Sequence, residues 1–94
     1  MDHSAFEQSC VRDGFDALEE KQGQAGFTSA MHTHPFTARI MVLSGEFSVT
    51  RDGSTEVYTS GGSFTMEAGC EHAESFGADG STYLVARKHT GAPA

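Results

Sequence analysis

Apolar and polar residues alternate in short stretches along most of this chain, and glycine interrupts the pattern at close intervals. Alternation of period two places every second side chain on one face of a half-buried strand. Read this way, residues 27–34, 37–43, 46–51, 55–59, 63–66, 71–76 and 81–88 are strands. Asp52-Gly53 is a strong hairpin signal, and Ser44-Gly45, Ser60-Gly61-Gly62, Glu67-Ala68-Gly69 and Gly77-Ala78-Asp79-Gly80 mark other breaks. Phe47 and Val49 share a face. Residues 15–20 alternate weakly and predict a first strand, followed by a loop over 22–26. Before them, Ser4-Ala5-Phe6-Glu7 reads as a capping box with Ser4 as N-cap, and Phe6 and Cys10, four apart, share the buried face of a short helix that stops at Asp13-Gly14. The chain thus divides into an N-terminal helical segment (1–14), a β domain (15–89) and a frayed tail (90–94). Many short strands with regular turns predict an all-β antiparallel sandwich or barrel.

Composition narrows the function. At 94 residues the chain makes one domain, small enough that barrel closure, a dimer interface or a bound metal would each add needed stability. A net charge of −7 with scattered Lys and Arg argues against a nucleic-acid partner. No apolar run approaches a membrane span, and Met1-Asp2-His3-Ser4 lacks the basic and apolar start of a signal peptide. The expected residence is therefore cytoplasmic. Cys10 and Cys70 lack a framework spacing and read as small buried residues, with Cys70 near the chemistry below as a minor option.

The chemistry lies in the histidines. His32 and His34 stand one residue apart in Met31-His32-Thr33-His34-Pro35, and His72 follows in Ala68-Gly69-Cys70-Glu71-His72. On a strand through residues 28–34 both imidazoles project to the same side, and a third from a facing strand would complete a metal site. Glu74, two after His72, has the parity to join it as orienter, fourth ligand or general base. Glu67 and Glu71 have the opposite parity and read as surface residues. Arg39, in the otherwise apolar run Thr37 to Leu43, is costly to bury alone; its parity places it on the outer face or at an interface, whereas a bulge would turn it inward to clamp a substrate carboxylate. His3 and His89 read as solvated. Phe36, Met41, Phe47, Phe64 and Met66 are expected to fill the barrel, with Phe64, Met66 and Phe76 narrowing the mouth around the metal.

These motifs resemble those of the cupin superfamily. The first family motif is a glycine, His-x-His, a glutamate after three or four residues, and a further glycine; here Gly26, His32-Thr33-His34 and Gly45 match. The second runs glycine, five residues, Pro-x-Gly, two residues, histidine, three residues, asparagine; here Gly61, Glu67-Ala68-Gly69 and His72 fall on it. The resemblance covers roughly residues 26–88. It implies a cupin (RmlC-like) jelly-roll β-barrel, or double-stranded β-helix, with a short N-terminal helix, binding one divalent metal through His32, His34 and His72. The family glutamate falls on Ala38 or, with the longer spacing, on Arg39; Glu67 replaces the proline and Phe76 the asparagine. Three neutral ligands leave the ion's full charge and open positions, compatible with Fe, Zn, Ni, Mn or Cu. The expected function is a mononuclear metal-dependent enzyme on a small organic substrate, of dioxygenase, isomerase or lyase type, with Glu74 as catalytic proton carrier. The alternatives are a non-catalytic module that binds or senses a small ligand, and a barrel without metal. A homodimer is expected, because a small barrel exposes sheet edges.

Overall fold

The computed structural model describes residues 2–89. It has one helix, α1 (His3–Arg12), and five strands: β1 (Glu19–Gly23), β2 (Phe36–Arg51), β3 (Ser54–Tyr58), β4 (Ser63–Met66) and β5 (Ala73–His89). All pairings are antiparallel, in the order β1-β5-β2-β3, with β4 also on β2. The frayed tail expected at residues 90–94 lies outside the described residues.

Two long strands carry the fold. β2 pairs with β5 from Phe36↔His89 to Val42↔Tyr83, and again from Phe47↔Phe76 to Thr50↔Ala73. Between these stretches the register shifts twice, at Val42/Ser44 and at Gly45/Phe47. The shifts change the inward parity: Ala38, Ile40 and Val42 face the barrel core in the first half of β2, Phe47 and Val49 in the second. Gly45 sits at this crossing with φ 77°, and a Cβ there would strike the Gly80 carbonyl of β5. Where the alternation reads as two strands separated by Ser44-Gly45, the chain therefore forms one bent strand. For the same reason the stretches predicted over 71–76 and 81–88 merge into a single β5, which begins at Ala73 and runs on through Gly77–Gly80.

The inner core joins Ala38, Ile40, Val42, Phe47, Val49, Phe64, Met66 and Val85. A second cluster covers the outside of the sheet: Phe6 and Cys10 of α1 pack on Met41, Leu84 and Ala86, flanked by Phe15, Leu18 and Leu43. Met41 thus belongs to the outer layer, not the barrel interior. Phe15 and Leu18 do the same work, so the first strand starts later than the weak alternation over 15–20 predicts. Gln22 and Gly23, expected in a loop, finish β1. The helix is capped by Asp2 instead of Ser4: the Asp2 carboxylate accepts the Ala5 N–H at 2.7 Å, and its charge suits the helix N-terminus better than a hydroxyl. Asp13 ends the helix and Gly14 turns away with φ 82°.

Arg39 lies on the outer face, as its parity requires. It donates to Asp13 at 2.8 Å, reaches the Ser9 carbonyl and the Thr65 hydroxyl, and stacks over Phe15 at 4.4 Å. Its charge is therefore used inside the fold. No helix among the described residues is long and apolar enough to cross a membrane.

Candidate metal centre

Residues 27–34 do not form the continuous strand their alternation predicts. They run along the start of β5, with bridges only at Thr28↔Ser75 and His32↔His72. Between the two bridges this segment spends four residues where β5 spends three, which is a local bulge. The ladder is also interrupted chemically: the Glu74 N–H bonds the Ser29 hydroxyl instead of a backbone carbonyl, and Pro35 has no N–H to offer. The His32 and His72 backbones exchange both hydrogen bonds, at 2.8 and 3.0 Å. The His34 carbonyl is held by the Gly69 N–H at 2.9 Å, and its ring stacks on Phe36. Thus His32 and His72 are placed by one shared backbone bridge and His34 by a separate tie to Gly69, and His32 and His34 meet without a regular strand to align them.

Their rings converge. Centroid separations are 4.5 Å for His32–His72, 4.8 Å for His32–His34 and 5.0 Å for His34–His72. The Glu74 carboxylate completes the group: its Oε1 lies 3.3 Å from Nε2 of His32, 3.3 Å from Nε2 of His72 and 3.9 Å from Nε2 of His34. One donor atom from each of the four residues lies within 4.8 Å of the others. A tetrahedral ion with bonds of about 2.0–2.1 Å separates its ligands by roughly 3.3–3.4 Å; the His32–Glu74 and His72–Glu74 separations match this spacing, and His34 stands wider at 3.9 Å.

Protonation makes the same case. Nδ1 of His32 faces the Ala30 carbonyl at 2.8 Å, and Nδ1 of His72 faces the Cys70 carbonyl at 2.9 Å. A carbonyl only accepts, so both Nδ1 atoms carry the proton, and in the neutral ring Nε2 is left with a lone pair. The Glu74 carboxylate oxygen, which also only accepts, lies 3.3 Å from both of these Nε2 atoms. A shared cation resolves the conflict; protonating all the rings would instead crowd like charges. Burial, above all, holds His34 below the ordinary imidazole value and favours its neutral, ligating form. His72 is 2% exposed, while the other three side chains remain partly open, so molecules approach from their side. Three neutral rings and one carboxylate are thus positioned for a metal, and they would leave a divalent ion one net positive charge.

Ala38, where the family motif calls for a glutamate, turns inward and presents only a methyl to a cavity of 20 Å³ beside His34, His72 and Glu74. Glu74 brings a carboxylate to the cluster from β5 instead. Phe64 and Met66 line that cavity as expected, whereas Phe76 stacks with Phe27 and Tyr83. Cys70 stands outside the donor group; its carbonyl, not its thiol, serves His72. Thr37 faces outward and accepts the Ala68 N–H. Glu67, Glu71, His3 and His89 are exposed. The alternation does not single out Lys21, Tyr83 and Arg87, which line a cavity of 170 Å³ next to the cluster with His34, Phe36, Ala38, Ile40, Glu74 and Val85. The parity shared by Tyr83, Val85 and Arg87 is the one signal for them in the sequence.

Comparison with known proteins bears on the fold. A family model described as a cupin domain matches residues 21–85. No curated protein matches the chain. Among solved structures it is similar to a protein of unknown function from Rhizobium leguminosarum bv. viciae (TM-score 0.69, 20% identity, covering 74% of this chain and 66% of that one). It is also similar to an RmlC-like cupin from Shewanella frigidimarina (0.67, 22%, 81% and 68%) and to the polyketide cyclase RemF from Streptomyces resistomycificus (0.63, 24%, 82% and 58%). The chain spans only about three fifths to two thirds of the length of these structures.

Proposed function

This chain belongs to the cupin family, and from that premise we propose that it binds one divalent metal ion through His32, His34, His72 and Glu74 and acts as a metal-dependent enzyme on a small organic molecule. The observation that carries the reading is the approach of three imidazole Nε2 atoms to one carboxylate oxygen at 3.3–3.9 Å, with two of the rings turning Nδ1 to a backbone carbonyl and leaving Nε2 as the ligating atom. A bound divalent ion supplies a Lewis acid with room for a substrate oxygen. The chain supplies the rest. Ala30 and Cys70 hold two rings in orientation, Phe36 backs the third, and Glu74, when it releases the ion, is the carboxylate placed to take or return a proton at a bound molecule. Dioxygenase, isomerase and lyase chemistry are all consistent with such a site; iron, zinc, nickel, manganese and copper all accept its donors.

Elemental analysis of untagged protein after metal supplementation tests the binding. We expect close to one ion per chain in the native protein and loss of it in His34→Ala. Less than about 0.1 ion per chain in the native protein, or unchanged content in the variant, would refute the assignment.

One observation favours a second reading, a module that binds or senses a small ligand without turnover. Among the described residues Glu74 is the only carboxylate lining either cavity, and a carboxylate engaged as ligand is not free as a base. Incubation with small acids, enols, thiols and sugars decides between them: product formation supports the enzyme, and a ligand recovered unchanged supports the module.

We further propose a homodimer, because β1 and β3 end the sheet with unpaired edges; sedimentation at the mass of a single chain would overturn it. The unpaired Cys10 and Cys70 thiols support a reducing compartment such as the cytoplasm, which localisation of the tagged protein would check.

A further inference from the structure

The cavity beside the cluster has two chemically different ends. One is the donor group of His34 and Glu74. The other carries Lys21, Arg87 and Tyr83, and the walls between are Phe36, Ala38, Ile40 and Val85. Backbone register puts these groups on one concave face: Lys21 pairs with Tyr83 across β1 and β5, Ala38 pairs with Arg87, and Tyr83, Val85 and Arg87 alternate along β5.

Charge accounting across the molecule sets Lys21 apart. Arg12 and Arg39 are paired with Asp13, Arg51 with Glu56 and Arg87 with Glu19, while Lys88 donates to the Asp13 carbonyl. Among the described residues, Lys21 is the one Lys or Arg without a hydrogen bond or ion pair. Glu19, on the same face of β1, offsets one of the two cations at this end; with the charge of Glu74 committed to the ion it would hold, about one net positive charge remains. The Tyr83 hydroxyl also has no hydrogen-bond partner among the described residues, and burial holds its proton more tightly than usual, so it stands as a neutral donor. A wider cleft of 480 Å³ on the outer face also carries cations, Arg39 and Lys88, but it has no counterpart of Lys21, since both are engaged with α1 and its cap.

Resting on the metal reading above, we propose that the ligand of this site is a short-chain carboxylic acid. Its carboxylate docks on Lys21, Arg87 and Tyr83, and an oxygen at its other end faces the His/Glu cluster. A carboxylate carries the single negative charge that this end lacks, and it matches the planar guanidinium fork of Arg87. A phosphate dianion would bring an extra charge with no counterpart. Size limits the chain: 170 Å³ lies well below the ~300–1,000 Å³ of pockets for drug-sized ligands, which fits an acid of a few carbons. The apolar walls suit its methylenes.

Calorimetry with malonate, succinate and glutarate on the metal-supplemented protein, each beside its uncharged diamide, tests the proposal. At least one diacid should bind at least tenfold more tightly than its diamide. Lys21→Met and Tyr83→Phe should each weaken that diacid several-fold while metal content stays unchanged. Lys21 is exposed, so its replacement leaves the core intact. Diamides binding as well as diacids, no diacid binding below 10 mM, or full affinity in both variants would overturn it. The two readings fail separately. Metal uptake near one per chain with no Lys21-dependent diacid binding sinks this inference alone. Lys21-dependent diacid binding in a chain that takes up no metal keeps the acid dock and sinks the metal reading.

Discussion

Glu74 is the one charged donor among three neutral rings, with its Oε1 3.3 Å from Nε2 of both His32 and His72. If Glu74 is a ligand, Glu74→Gln keeps the shape but loses the charge that holds a cation there. We expect metal affinity to fall by at least the ~10–100-fold seen when groups merely supporting a ligand are removed, measured by competition with a chromophoric chelator. Native affinity in this variant would leave Glu74 outside the metal's donor set. Native turnover as well would remove it from the chemistry. The pairing of ring and carboxylate is legible in the sequence, because a spacing of two puts His72 and Glu74 on one face of a strand. The lack of a glutamate at Ala38 is equally plain. Spacing names Glu74 as a candidate fourth ligand but does not choose among its possible roles, because its approach to His32 and His34 depends on β5 lying against a segment some forty residues away. Lys21 and Arg87 are hidden for the same reason: their common cavity exists only once β1 and β5 are in register.

At the scale of elements, the turn-rich pattern identifies β3 and β4 closely, because each is a short strand ended by a true turn. It splits β2 and β5, because a glycine inside a bent strand looks like a glycine that ends one. Gly45 is needed for the close crossing with Gly80, not for a turn between strands. The junction between α1 and the sheet is legible only in part: the parity of Arg39 points outward, yet its partner Asp13 reads simply as a helix stop. Asp13 accepts from both Arg12 and Arg39, and these bonds, Arg12 first, lower its carboxyl from 3.8 to about 2. A carboxyl held lower in the folded state than in the unfolded one stabilises the fold above the unfolded value, and that contribution disappears as pH falls from about 4 toward 2. Asp13→Asn should therefore melt a few degrees below the native protein at neutral pH, with the gap closing over that acid interval. A gap that stays constant down to pH 2 would show that the Asp13 charge does not tie the helix to the sheet.

For the molecule as a whole, the weakest join is the run that carries His32 and His34. It lies along the start of β5 with two isolated bridges and a borrowed hydroxyl in place of a regular ladder. Two of the four donors sit on that run, and the other two, His72 and Glu74, sit at and just inside the start of β5. An ion held by all four would therefore cross-link the run to the sheet as well as equip a site. Its stabilisation follows mass action: a free ion concentration a thousandfold above Kd adds about 4 kcal/mol. In a domain of this size each ~1 kcal/mol moves Tm by roughly 4–8 °C. Adding zinc to chelator-treated protein should thus raise Tm by more than 10 °C. The same addition should slow amide exchange at His32 and His72, whose N–H groups form the bridge behind the rings, before it slows exchange in the β2–β5 core. His34→Ala should lose most of the gain in Tm while folding normally without metal, since its ring is partly exposed and stacks on the partly buried Phe36. Equal Tm with and without zinc would mean that the rings converge without an ion to bind, and uniform slowing across the sheet would mean that the run is already fastened by its backbone.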